Sequence, residues 1–130
     1  MARDIIVTTP KSEMKNAAKE AQDARRAGPD SCYFRALPTS PQGIVVGVSR
    51  IFYVEDGHVR GFGVIHTGHN GTYSHCDTTG REWYGRCTLG FRASSWKWIK
   101  PIPMKGFQGW RYFDHPVEVV GDWISPRPKE

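Results

Sequence analysis

Arg50-Ile-Phe-Tyr-Val-Glu-Asp-Gly-His-Val-Arg-Gly-Phe-Gly-Val-Ile65 sets two β-rich runs, Arg50 to Val54 and Val59 to Ile65, on either side of Asp56-Gly57. An Asp-Gly pair accepts the positive φ angles of a type I′ turn, whose twist matches that of paired strands. The stretch therefore predicts a β-hairpin. Gly61 and Gly63 in the returning strand predict a bulge or sharp coiling, as closure of a small barrel needs.

Working towards the N-terminus, Ile44 to Val48 reads as a further strand or a buried approach to one, and Pro38 to Gly43 as a loop of turn formers. Ser31 to Leu37 predicts a strand that carries Arg35 among apolar neighbours. Before it, Thr9-Pro10 supplies an N-cap and a first-turn proline, and Gly28-Pro29 supplies a stop, so a helix is predicted between them. Its apolar stripe (Met14, Ala17, Ala18, Ala21, Ala24) is made mostly of methyl groups, suited to lying close against a sheet. Asp4 to Thr8 is the first strand.

Towards the C-terminus, 66–86 is rich in Gly, Thr, Ser and His and predicts a long loop or hairpin, after which Cys87 to Arg92 returns to strand. Trp96-Lys-Trp-Ile-Lys-Pro-Ile-Pro-Met-Lys-Gly-Phe-Gln-Gly-Trp-Arg-Tyr-Phe113 then places six aromatic residues among four cations with no acid between them. Pro101 and Pro103 predict an extended segment poorly suited to a central strand, and Gly106 and Gly109 bracket a tight loop. Pro116 to Val120 gives a final strand. One helix with six or seven short strands is an α+β pattern, a small mixed β-barrel with the helix packed at one end. Residues 1–125 form one domain, and 126–130 a flexible tail.

The chain has 130 residues, a formal net charge of +5 and 38% hydrophobic content with five Trp, five Tyr and six Phe. Disorder is excluded by the aromatics, and the charge favours polyanionic partners. No apolar run approaches the ~20 residues of a membrane span. Three cysteines (Cys32, Cys76, Cys87) cannot all pair within the chain, and no signal-like N-terminal run is present. A cytoplasmic setting with reduced thiols is expected. His66, His69, His75, Cys76 and Cys87 are dense enough to raise a zinc site, but adjacent His75-Cys76 suits a tetrahedral site badly and no Cys-x-x-Cys pair exists. No metal or cofactor is assigned.

The order strand, helix, strand, hairpin, together with Arg50 to Ile65 and with Trp98-Ile-Lys-Pro-Ile-Pro-Met-Lys-Gly-Phe-Gln-Gly-Trp-Arg-Tyr112, resembles PUA-like small barrels of the ASCH and EVE type. The resemblance implies binding of RNA or modified nucleobases, and in some ASCH members hydrolase or nuclease activity. The ASCH signature Gly-x-Lys-x-x-Glu-x-Arg is absent. Its nearest approach, Lys11-Ser-Glu13-Met-Lys15, is one residue short with Lys for Arg, so no catalytic residue is carried over.

The aromatic and basic residues, taken with that resemblance, predict a nucleic-acid or modified-nucleotide binding module, its partner RNA, DNA or a modified nucleotide, with the oligomeric state open. Trp98, Trp110 and Tyr112 are candidate stacking platforms; Lys100, Lys105 and Arg111 candidate phosphate or base-edge contacts; and Gln108 a candidate base-edge reader. Thr9, Lys11 and Ser12 stand at a predicted helix N-terminus, where free amides favour an anion. They form one pocket with Gly106 to Gly109 if the first strand ends near that loop. The alternative is a small hydrolase, an amidohydrolase or ribonuclease, in the same pocket. Its raw materials would be Lys11 or Lys105 with a carboxylate (Glu13, Glu55, Glu82) and a hydroxyl (Thr8, Thr9), or Cys76 or Cys87 beside His75.

Overall fold

A computed structural model describes residues 2–9, 28–30, 32–69, 74–75, 82–83 and 87–128. Among them are ten strands: β1 (Ile5–Thr8), β2 (Cys32–Leu37), β3 (Arg50–Glu55), β4 (His58–His69), β5 (Ser74–His75), β6 (Glu82–Trp83), β7 (Cys87–Arg92), β8 (Lys97–Pro103), β9 (Trp110–Tyr112) and β10 (Val119–Asp122). A single 3-10 turn, Ala93–Ser95, separates β7 from β8.

The expected α+β class is corrected on this point. The described residues are nearly all β, a curled half-barrel sheet with no main helix. Segment 10–27, to which the capping signals assigned that helix, lies outside the described residues. The strand count also exceeds six or seven, because short pairings such as those of β9 leave no periodic trace in sequence.

The hairpin forms as its turn chemistry dictates, with Asp56 at φ 50° and Gly57 at φ 77° between β3 and β4. Ile44 to Val48 is a turn rather than a strand. Val45 O accepts the N–H groups of Val48 and Ser49, and the buried Ser49 hydroxyl accepts the Val45 N–H. The short serine side chain competes here with ladder bonds. Of the 66–86 region, β4 takes the stretch to His69, and β5 pairs with β6.

β4 organises the sheet. β3 runs along one of its edges, while β8 and β7 dock end to end along the other, Phe62 opposite Lys97 and Ile65 opposite Phe91. At the junction the Ser95 hydroxyl accepts the Val64 N–H. The sheet extends through β8 to β10 and through β7 to β2. Beyond β3, parallel β1 and then antiparallel β9 complete the order β10-β8-β4-β3-β1-β9. β8 is thus an interior strand despite its prolines. Pro101 falls where the pairing with β4 slips between Ile102 and Trp98, so no ladder donor is missed there, and Pro103 is its last residue.

Both faces of the central strands are buried, which explains the unbroken apolar runs Ile5-Ile6-Val7 and Ile51-Phe52-Tyr53-Val54. Ile5, Val7, Ile51, Ile65, Leu37, Leu89 and Phe91 pack on one face. Ile6, Phe52, Val54, Val59, Phe62, Ile99 and Phe113 pack on the other, joined by Met104 and Phe107. The first face is the concave one. β1 and β2 stand four strand spacings apart in the order, roughly 19 Å if flat. Even so, the Arg35 Nη2 donates to Thr8 O at 3.1 Å, which requires the sheet to curl around the face carrying Arg35.

Candidate functional site

The pairing registers align one transverse row of residues across the concave face. Trp98 of β8 pairs with Gly61, Gly61 with Tyr53, Tyr53 with Val7, and Val7 with Trp110 of β9. Gly61 leaves a gap that the Trp96 ring fills; a Cβ there would lie 2.9 Å from Trp96 Cε2. Trp96 meets Trp98 edge-on with centroids 5.3 Å apart and lies 5.8 Å from Tyr53. One step along, Gly63 leaves room for Phe91, which stacks on Tyr33 at 5.1 Å. Tyr33, Tyr53, Trp96, Trp98 and Trp110 are all half-buried, neither sealed in the core nor splayed into solvent.

Alternation along β2 puts Tyr33, Arg35 and Leu37 on this same face. Arg35 is half-buried, and its hydrogen bond among the described residues goes to the Thr8 carbonyl at the end of β1. A guanidinium carries five N–H donors, so one such bond does not exhaust it. Glu55, two residues beyond Tyr53 and so on the same face, adds an acid. Burial pushes its carboxyl above the ordinary value, against the opposing pull of Arg127, Arg60 and the Thr9 hydroxyl. Arg60 is itself buried, where the β3–β4 register slips, and its Nε donates to Glu55 O at 2.9 Å.

The sequence-derived candidates divide between faces. Trp98 and Trp110 share the ring row, and Tyr112 stands one step along from Trp110 at 4.9 Å. Trp98 donates its indole N–H to Ser125 O, and Trp110 donates its own to the Thr39 hydroxyl at 2.8 Å. The Tyr112 hydroxyl accepts the Gln42 N–H, with the Arg3 guanidinium 3.2 Å from its ring centroid. Arg111 has the opposite parity, and its guanidinium covers Phe107 at 4.2 Å on the convex side, away from Trp110. Lys100, Lys105 and Gln108 are exposed, the first with its backbone N–H bonded to Glu118 O. Thr9 is buried beside Glu55, and its N–H bonds Val54 O. Lys11 and Ser12 lie outside the described residues.

The first strand does end against the glycine loop. The Thr8 hydroxyl accepts the Phe107 N–H at 3.1 Å, and a Cβ on Gly106 would touch Thr8 Cγ2 at 2.9 Å. No family model, curated protein or solved structure matches this chain.

Sequence reasoning missed Tyr33, Arg35, Tyr53 and Trp96 as site residues. The period-2 pattern Tyr33-x-Arg35-x-Leu37 was the available signal, since an arginine sharing a face with core residues needs a reason to be there. Of the other reactive groups, Cys87 is buried and its thiol is pushed up by that burial, so it is a poor thiolate nucleophile. No group of three or more potential metal ligands occurs among the described residues. No helix among them is long and apolar enough to cross a membrane.

Proposed function

We propose that the concave ring row binds a nucleobase, from a nucleic acid or a modified nucleotide. The base would stack among Trp98, Trp96 and Tyr53 while Arg35 donates to its edge or to its phosphate. The observation that carries this reading is the half-buried Arg35 guanidinium, held by Nη2 to Thr8 O, on a face of half-buried rings. Base–ring stacking is worth about 1–3 kcal/mol, and arginine donates in a planar fork that suits both phosphate oxygens and base edges. The net charge of +5 acts in the same direction. The curled sheet is also compatible with the resemblance to PUA-like barrels of the ASCH and EVE type, in a reducing cytoplasm.

The test is titration calorimetry with nucleoside 5′-monophosphates, methylated and unmethylated, and with short single-stranded RNA and DNA at two salt concentrations. Trp98→Ala and Tyr53→Ala should each weaken binding by about 1–3 kcal/mol. A steep salt slope marks a polymer lying across several cations, and a shallow one a mononucleotide. Unchanged affinity in folded variants, or no binding by wild type, would end the proposal.

Glu55 favours a second reading, a hydrolase using the same face. A carboxyl with a raised pKa on the ring-bearing face is suited to general acid–base work. Turnover of an acylated nucleoside or of RNA, abolished by Glu55→Gln with binding retained, would select it over the binding module.

A further inference from the structure

We propose that residues 123–127 form a displaceable strap that closes the β10 end of the ring row; the inference rests on the concave face being the binding face. After β10 the chain turns at Asp122, where the Ser125 hydroxyl bonds both the Asp122 N–H and the Asp122 carboxylate. That turn brings Ser125 O onto the Trp98 indole N–H at 3.2 Å. Two residues later Arg127 reaches Glu55, Nη2 to Oε2 at 3.6 Å. The segment therefore runs from the edge of the Trp98 indole to the Glu55 carboxylate, from a ring that would serve as a stacking platform to an acid that would face the ligand.

Its grip is light. The Arg127 side chain is 43% exposed and its ion pair is long, and Ile124 is 65% exposed, so that of the segment's apolar groups Trp123 alone is a half-buried ring. The contacts seen among the described residues include one indole hydrogen bond, one long ion pair and the turn at Asp122. Contacts of this size can be exchanged for those of a bound base and are not part of the core. The strap would compete with ligand for Trp98 and Glu55, so that unstrapped protein binds more tightly.

The experiment reads the strap without needing a ligand. In 15N-labelled protein the Trp98 indole N–H, assigned through Trp98→Phe, is followed by hydrogen exchange in wild type, Arg127→Ala, Ser125→Ala and a chain ended at Asp122. Removing an exposed ion pair should speed that exchange by up to about fivefold. Ending the chain at Asp122 should speed it by about tenfold or more, the hydrogen bond being lost as well. Indole exchange unchanged in the folded Arg127→Ala and Ser125→Ala proteins would overturn the strap. The same proteins are then titrated with cytidine and adenosine 5′-monophosphates, and affinity should rise in the order of the exchange rates. Faster exchange with unaltered nucleotide affinity would refute the competition. Absence of nucleotide binding in every variant would instead remove the binding reading, with the exchange data still deciding whether the segment opens.

Discussion

Substituting Gly63 by Ala tests whether the concave face is as tightly built as its ring contacts require. A Cβ at Gly63 would enter the Phe91 ring; even Cδ1, the third-nearest ring carbon, would stand at 2.7 Å. Carbon atoms pack at about 3.5–4.0 Å, so the ring must retreat by roughly 1 Å or more. It has little room to do so, with Tyr33 stacked at 5.1 Å, Trp96 at 5.9 Å and Tyr53 at 6.0 Å, and Phe91 itself buried. Overpacking of this kind costs about 1–3 kcal/mol. The upper limit is set by expulsion of the ring altogether, about 3–5 kcal/mol. An expected loss of about 2–4 kcal/mol would lower the urea midpoint by roughly 1–2 M. Gly68→Ala is the control, because its Cβ would meet only the end of Leu89 at 3.3 Å. In a Phe91→Ala background Gly63→Ala should cost little, since the obstruction is gone. Were Gly63→Ala as mild as Gly68→Ala, or its cost the same with and without the Phe91 ring, the reasoning from ring clearance would be wrong.

Asp4→Asn should destabilise by about 1–2 kcal/mol in urea denaturation, because one carboxylate accepts the Arg50 N–H, Nε and Nη2 at 2.7–3.0 Å from a partly exposed position. Glu55 should make stability fall with rising pH. Its native pKa lies above the ordinary value, so the folded state binds the proton more tightly, and the contribution is full below the ordinary carboxylate value and lost as pH rises through the raised one. Urea midpoints of Glu55→Gln from about pH 4 to pH 8 should lack that decline, and an identical profile would remove Glu55 as its source. Trp110→Phe should cost about 0.5–1.5 kcal/mol of stability by orphaning the Thr39 contact, measured by thermal unfolding.

The sequence conveyed local chemistry well and cross-strand relations poorly. Asp56-Gly57 specified its turn because two backbone angles decide it, and Cys87–Arg92 was legible end to end from its apolar run. Gly61 and Gly63 stand out in the sequence as unusual for a strand, but part of their role is to leave space for Trp96 and Phe91, which arrive from other parts of the chain. The α+β class was overread from capping signals at Thr9-Pro10 and Gly28-Pro29. Among the site residues, Trp98 and Trp110 were visible as rings near cations. That Tyr53 stands between them, and that Arg35 rather than Arg111 shares their face, follows only from the registers of β8, β4, β3, β1 and β9. Register is a property of pairs of segments, and no window along the chain contains it.

The place of β1 has a consequence for how the molecule is made. Its two neighbours, β3 and β9, follow it by more than 40 and more than 100 residues, so β1 gains its second partner only after Tyr112 has been added. At bacterial or eukaryotic elongation speeds that delay is on the order of 5–20 s. Throughout it, Ile5, Ile6 and Val7 are apolar and unpaired along one edge, the kind of nascent segment that chaperones recognise. Nonlocal closure of this sort also slows refolding from denaturant into the millisecond-to-second range of β-rich domains.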